Sequence, residues 1–180
     1  MADKNDTSDD ALIRMIERSD KMAMRLLYER HAPALTAFIR NRLIDPVEAA
    51  DVVQDTFMEV WSNAGKFQAR STVRSWMYSI ARNKAVDRVR KSSRLVITEP
   101  DETIADGAPN VEMVITQAED AHRVRTCLDA LTDAQRSAVT LAFFQDMTYR
   151  EISSVEGVSE GTIKSRVHHA KKLLLHCLSK

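Results

Sequence analysis

Basic side chains suited to holding nucleic acid gather in two segments of the chain. Residues 66–94 carry nine Lys or Arg against one acid, and residues 161–180 carry five against none. Basic side chains make salt-sensitive contacts to phosphates, and an aromatic ring stacks on an unpaired base. Both segments therefore predict nucleic-acid binding, although a solvated basic surface over a core of Trp76, Met77 and Ile80 is the alternative for the first. That segment interleaves three aromatic rings with its charges: Phe67, Trp76 and Tyr78.

The second basic segment belongs to a predicted helix-turn-helix. Thr148 and Glu151 have the spacing of a capping box, which begins a short helix over about 149–155. Gly157 suits the positive φ of a tight turn, and Ser159 offers an N-cap to a longer helix. That helix can enter a DNA major groove, and an amphipathic hairpin with a solvated face is the alternative. Its apolar residues recur at helical spacing and form an inward stripe: Ile163, Val167, Ala170 and Leu174.

An acidic and polar helix precedes the first basic segment. Asp45 and Pro46 predict its start, because Asp caps free N–H groups and Pro loses nothing at the first helical position. The helix should run to about Trp61. Beside a DNA-binding segment, a polar stripe on this helix indicates a docking surface for another protein, and a solvated surface is the alternative. Four side chains make up the stripe: Asp51, Gln54, Asp55 and Met58.

Composition and charge predict an all-α protein of two small helical domains. The 180 residues include four Gly and four Pro, and no alternating run reaches strand length. The net charge is zero, yet residues 95–120 hold seven acids and no Lys or Arg. We therefore expect domains at residues 1–94 and 117–180, joined by a flexible acidic linker at 95–116.

Apolar spacing also predicts where the helices lie. From residue 10 to residue 43 the pattern is helical, with Pro33 in a first turn or at a kink. Further helices are expected at about 45–61, 72–90, 117–130, 133–145, 149–155 and 160–177.

Several classes of function are excluded by the sequence. No window approaches the roughly 18 uninterrupted apolar residues of a membrane helix, and the acidic N-terminus is unlike a secretory signal. We therefore expect a cytoplasmic protein with no membrane insertion of its own. No P-loop, nucleophile elbow, HExxH or CxxC motif is present, so neither an enzyme nor a cofactor is expected. No metal is expected either, because helical spacing puts only part of one candidate group on a single face: His168, His169, His176 and Cys177.

Three stretches of the chain together point to a family. They are 48–61 (Glu-Ala-Ala-Asp-Val-Val-Gln-Asp-Thr-Phe-Met-Glu-Val-Trp), 75–88 (Ser-Trp-Met-Tyr-Ser-Ile-Ala-Arg-Asn-Lys-Ala-Val-Asp-Arg) and 147–166. In this order and spacing the chain resembles the extracytoplasmic-function (ECF) group of bacterial sigma-70-type sigma factors, over roughly 10–92 and 117–178. The resemblance implies a sigma region 2-like domain, a sigma region 4-like domain, and promoter recognition on behalf of core RNA polymerase.

The resemblance also assigns roles to particular residues. It implies docking on the clamp helices of the polymerase β′ subunit by Asp51, Gln54, Asp55 and Met58. It implies reading and melting of the −10 promoter element by Lys66, Phe67, Ser71, Thr72, Arg82, Asn83, Arg88 and Arg90. It implies reading of the −35 element by Glu160, Thr162, Lys164, Ser165, Arg166 and His169. The family often carries Arg where this chain has His169, and a neutral imidazole cannot make the bidentate Arg contact to a base.

Partners follow from the same resemblance. They are core RNA polymerase, through its β′ clamp helices and β flap, promoter DNA, and an anti-sigma factor. The anti-sigma factor would hold the protein inactive, tethered at the inner membrane, until a stress signal. Cys127 and Cys177 would form a disulfide that loosens this partner if their helix ends meet, and buried unpaired thiols are the alternative. A stand-alone dimeric helix-turn-helix regulator is the alternative function, and it requires an apolar dimer face.

Overall fold

The computed structural model describes residues 7–43, 45–95 and 123–179, whose regular secondary structure is helical, with no strand. The all-α prediction is therefore confirmed. Beyond its first residue, the predicted linker at 95–116 lies outside the described residues. The N-terminal unit consists of α1 (Asp9–Glu17), α2 (Lys21–Arg40), α3 (Pro46–Asn63), a 3₁₀ turn (Ala64–Lys66) and α4 (Val73–Leu95). The C-terminal unit consists of α5 (123–129), α6 (Asp133–Val139), a π-helical turn (Thr140–Phe144), α7 (Tyr149–Glu156) and α8 (Glu160–Leu178).

Local sequence signals set most of the helix ends. The Asp45 carboxylate accepts from the Val47 N–H at 2.8 Å, which caps α3. Thr132 and Thr148 each form a capping box with the Gln or Glu three residues later. Gly157 has a φ of 66°, a left-handed conformation that glycine adopts without strain, and it turns the chain from α7 into α8. The bounds of α3, α7 and α8 consequently agree with prediction to within two residues.

The first helical region rules out one of the two predicted positions of Pro33, the first turn of a helix. Pro33 lies inside α2, and the chain breaks at Ser19, whose φ is 65°. The Asp20 side chain accepts from two N–H groups at the start of α2, so this cap sets the helix boundary. The cost of an interior proline is offset by burial on both sides, because Ala32 and Leu35 lie in the core. The predicted helix at 133–145 likewise changes into the π-helical turn after Val139.

One cluster of buried apolar side chains runs through both units. Phe38 of α2 and Tyr78 of α4 are each 1% exposed, and their ring centroids lie 5.0 Å apart. Leu141 and Ile152 of the C-terminal unit are fully buried in the same cluster. Because α7 packs against α4, the helix-turn-helix is held against the N-terminal unit. Among the described helices, none combines the length and the apolar character needed to cross a membrane.

Candidate nucleic-acid and protein interfaces

The outer face of α8 carries most of the residues predicted to read a −35 element. Ile163, Val167 and Ala170 are buried, as the predicted inward stripe requires, and they fix the rotation of the helix. The Ser159 hydroxyl accepts from the Thr162 N–H at 3.2 Å and caps its first turn. Five predicted DNA-reading side chains are consequently exposed: Glu160, Thr162, Lys164, Ser165 and His169.

Arg166 and Leu174 are exceptions to the division of α8 into an exposed face and a buried face. Arg166 is half-buried, and its Nη1 lies 3.9 Å from Oε2 of Glu156, so its guanidinium lies beside α7. Leu174 is half-buried and packs against a small cluster that contains Leu131 and Ala170. The exposed reading face therefore holds five of the six predicted residues.

The residues predicted at the −10 element do not form one uniform patch. Lys66, Asn83 and Arg90 are exposed, whereas Ser71 is half-buried. Phe67 packs on Trp76 with ring centroids 5.0 Å apart, and both rings are half-buried. This pair keeps part of its aromatic surface available at the edge of the basic segment.

Two further members of the predicted −10 set contact acids of the C-terminal unit. The Thr72 hydroxyl donates to Oε1 of Glu151 at 3.1 Å, and Nε of Arg82 donates to Oε2 of Glu156 at 3.2 Å. Burial by itself would raise the pKa of Glu151, but hydrogen bonds from Thr148 and Thr72 outweigh burial and lower that pKa below its ordinary value. Glu151 is therefore a charged partner of Thr72 at neutral pH.

Tyr78 corrects one sequence interpretation. It was expected among the rings that serve nucleic acid, but its side chain is 1% exposed, and burial raises the pKa of its phenol to about 12. Its hydroxyl donates to Oε1 of Gln145 at 2.8 Å, across the boundary between the two units. The alternative of a core beneath the basic segment is confirmed for Met77 and Ile80, which are also buried.

The acidic and polar stripe on α3 lies at the surface. Its four members are all exposed, and Met58 reaches 60% exposure. Beside it lies an open apolar groove between α2 and α3, which the sequence patterns did not reveal. The sequence offers one hint of this groove, because Tyr28 follows Met24 by one helical turn on α2. It does not show that α3 packs beside these two side chains. The groove is lined by Lys21, Met24, Tyr28, Gln54, Phe57, Met58 and Trp61.

Arg88 connects the stripe to the basic helix. Its guanidinium lies 3.4 Å from the Asp51 carboxylate and 3.6 Å from the Asp55 carboxylate. The resemblance had placed Arg88 near melted DNA, whereas in this structure it contacts the stripe on α3. All three side chains are partly solvated, so these ion pairs contribute little to stability.

Two cysteines tie the ends of the C-terminal unit together. Cys127 of α5 and Cys177 near the end of α8 form a disulfide, with Cα atoms 5.8 Å apart and 50 residues between them in sequence. Cys127 is buried. Among the described residues, no group of His, Cys, Asp and Glu is arranged to hold a metal ion.

Comparison with known proteins agrees with these features. Residues 27–95 match Sigma-70 region 2, and residues 121–174 match Sigma-70 region 4. The ECF RNA polymerase sigma factor RpoE of Cereibacter sphaeroides is 33% identical over 175 residues, covering 94% of this chain and 95% of that protein. The ECF RNA polymerase sigma factor SigK of Mycobacterium tuberculosis is 32% identical over 173 residues, covering 94% and 92%.

Two solved structures share the arrangement of both units. The sigma factor RpoE from Bartonella quintana, in complex with the anti-sigma factor NepR, gives a TM-score of 0.70 at 27% identity, covering 86% of this chain and 96% of that one. CnrH, in complex with the cytosolic domain of CnrY, gives 0.71 at 25% identity, covering 96% and 98%. Both matching family models belong to sigma factors, which are DNA-binding transcription initiation factors and not enzymes. The chain belongs to the sigma-70 family, in its ECF group.

Proposed function

We propose that this sigma factor docks on core RNA polymerase through α3, reads the −35 promoter element with α8, and opens the −10 element with α4 and the loop before it. The observation that carries the −35 assignment is the orientation of α8, which buries one stripe and exposes five polar side chains opposite it. Lys164 supplies donors to base edges or phosphates from that face.

The docking surface combines acids with an apolar groove. Asp51 and Asp55 supply charge, and the exposed Met58 and Tyr28 supply apolar area that is open to a partner. A polar rim beside a hydrophobic groove is typical of protein interfaces. We propose that this surface binds the β′ clamp helices of the polymerase and that the C-terminal unit binds the β flap.

The −10 surface is proposed to act by holding an unstacked base. Extrusion of a base costs a few kcal/mol, which stacking and phosphate contacts must recover. Phe67 and Trp76 offer the stacking rings, while Lys66, Asn83 and Arg90 offer exposed polar contacts around them. No catalytic residue is needed for this step.

Co-elution with core polymerase tests the proposed function. The full chain, mixed with purified bacterial core RNA polymerase, is expected to elute with it in size-exclusion chromatography and to remain monomeric alone. A dimer that ignores polymerase and binds palindromic duplex would instead support a stand-alone regulator.

An anti-sigma partner is proposed on the basis of the two solved relatives, both of which are complexes. It would hold this protein in the cytoplasm, tethered at the inner membrane, until a stress signal. We further propose that Cys127 and Cys177 act as a redox pair, whose oxidation loosens that partner. The Cα separation of 5.8 Å is within the range that a disulfide requires.

Reduction of this pair is expected to destabilise the C-terminal unit. A cross-link that closes a loop of 50 residues lowers the conformational entropy of the unfolded chain. The loss of this entropy stabilises the folded unit by about 4 kcal/mol. Thermal melting with and without dithiothreitol measures the difference in the wild type. The Cys127→Ser/Cys177→Ser variant is the control and should melt at one temperature in both conditions. Equal melting of oxidised and reduced wild type would remove the basis for a redox role.

A further inference from the structure

The loop that joins the 3₁₀ turn to α4 contains a residue in an uncommon backbone conformation. Ala69 has a φ of 51°, in the left-handed region that residues other than glycine, asparagine and aspartate seldom enter. Alanine has no polar side chain with which to stabilise that conformation locally. The loop runs from Phe67 to Thr72 and is the one for which a −10 role is proposed above. Its backbone strain therefore lies at a proposed binding site, where such strain commonly fixes a geometry.

Two other non-glycine residues in the described part of the chain have a positive φ, and both lie where a helix ends. Ser19, with a φ of 65°, follows α1, and across it the Asp20 N–H donates to the Met15 carbonyl at 3.1 Å. Asp146, with a φ of 46°, is enclosed in a similar way after the π-helical turn. Among the described residues, no backbone hydrogen bond spans Ala69. Termination of a helix consequently explains the first two conformations but not the third.

The start of the loop is anchored to α3 and α4. The Phe67 N–H donates to the Ala64 carbonyl at 3.1 Å, and the Phe67 ring packs on Trp76 with centroids 5.0 Å apart. One residue earlier, Nζ of Lys66 donates to the Asn63 side chain at 2.9 Å. These contacts fix the point from which the loop leaves the 3₁₀ turn.

The end of the loop is anchored by Thr72, which caps α4. Its hydroxyl accepts from the Ser75 N–H at 3.2 Å, and its carbonyl accepts from the Trp76 N–H at 3.0 Å. Between the two anchors, Gln68, Ala69 and Arg70 are exposed. Within the described ranges, no hydrogen bond joins any of these three to another residue. The shape of this tip therefore depends on its own backbone, in which Ala69 makes the turn.

We propose that Ala69 is a positioning residue that holds residues 68–71 in one preformed shape, ready to receive the unstacked base; this step rests on the −10 role proposed above. Alanine allows the backbone fewer conformations than glycine would at the same position. A loop that already has its bound shape loses less conformational entropy when it binds. The backbone groups of the tip and the exposed Gln68 and Arg70 side chains stay open to a nucleotide, because no other part of the described chain binds them.

Backbone NMR relaxation of the free full-length chain tests the preformed shape without any partner. Order parameters for residues 68–71 of the wild type should be close to those of the flanking helices, about 0.85, and Ala69→Gly should lower them toward about 0.6. Ala69→Asn should keep the wild-type values, because asparagine enters the left-handed region without the freedom of glycine. A loop that is already mobile in the wild type, or equally ordered in Ala69→Gly, would overturn the proposal.

DNA binding tests whether the preformed loop serves an unstacked base. The probes are a pool of mixed-sequence duplexes with an unpaired central bubble and the same duplexes fully paired. Each is bound by core polymerase with and without the chain, and the ratio of the two affinities is the bubble preference. Ala69→Gly should lower the preference that the chain adds by about two- to fivefold, because the loop gains backbone freedom. An unchanged preference in Ala69→Gly would reject the positioning role.

Ser19→Gly is the matched control. It places the same residue at another left-handed position, outside the loop, so it should leave the loop order and the bubble preference at their wild-type values. Both glycine variants relieve strain, and neither should melt at a lower temperature than the wild type. An equal loss of bubble preference in Ser19→Gly would contradict a role specific to Ala69. If the wild-type chain adds no bubble preference to core polymerase, the −10 role itself fails, while the NMR result still decides whether the loop is preformed.

Discussion

The Asp51→Arg/Asp55→Arg variant is expected to bind core RNA polymerase with an affinity lower by a factor on the order of 100 or more. Both acids are exposed on one side of α3, beside the apolar groove. Placing like charges against a complementary partner costs several kcal/mol, and 1.4 kcal/mol is a factor of ten. Equilibrium binding of labelled protein to core polymerase measures the change. Capture at wild-type strength would show that the stripe is only a solvated surface.

Two controls separate docking from local effects of that reversal. Glu48→Arg reverses one acid at a half-buried position in the first turn of α3, outside the stripe, and should bind polymerase nearly as wild type. Arg88→Ala removes the guanidinium that contacts both acids. In the double charge reversal this guanidinium would lie against two new arginines. If Arg88→Ala alone reproduced the loss, the ion pairs within this protein rather than docking would explain it.

Lys164→Glu is expected to reduce promoter-directed transcription by about 5- to 150-fold, the range for losing a base-edge contact worth about 1–3 kcal/mol. Lys164 is exposed on the reading face of α8, one residue from the buried Ile163 that anchors the helix. Lys172→Glu makes the same change two turns further along, outside the predicted set, and should have a much smaller effect. Holoenzyme binding to a promoter fragment measures both variants. Equal losses would indicate nonspecific attraction to DNA.

The local features of this protein were the ones open to prediction from sequence. Capping boxes at Thr132 and Thr148 and the turn at Gly157 depend on neighbours a few residues away, and the structure confirms them. The inward stripe of α8 follows from its own periodicity. Pro33 lies inside α2 rather than in a first turn, because burial on both sides of it outweighs a local breaking signal, and no short window contains that information.

Features that depend on packing between the two units were beyond the sequence. Glu156 ends a short helix and looks like an ordinary exposed acid, yet it lies 74 residues from Arg82 in the chain and contacts it. Contact of Arg82 and Arg166 with promoter DNA stays a prediction, and the position of the Glu156 carboxylate between these two side chains was not foreseeable. Tyr78 was grouped with nucleic-acid rings because helical spacing alone does not show which helix will cover it.

Genomic run-off transcription tests the sigma function most directly. Purified core RNA polymerase is incubated with bacterial genomic DNA, nucleotides and either the wild-type chain or no addition, and transcript starts are mapped. We expect a discrete set of new start sites with the wild type, sharing one sequence upstream near −10 and another near −35, and a loss of those sites with Asp51→Arg/Asp55→Arg. Identical start sites with and without the wild-type chain would contradict promoter selection by this protein.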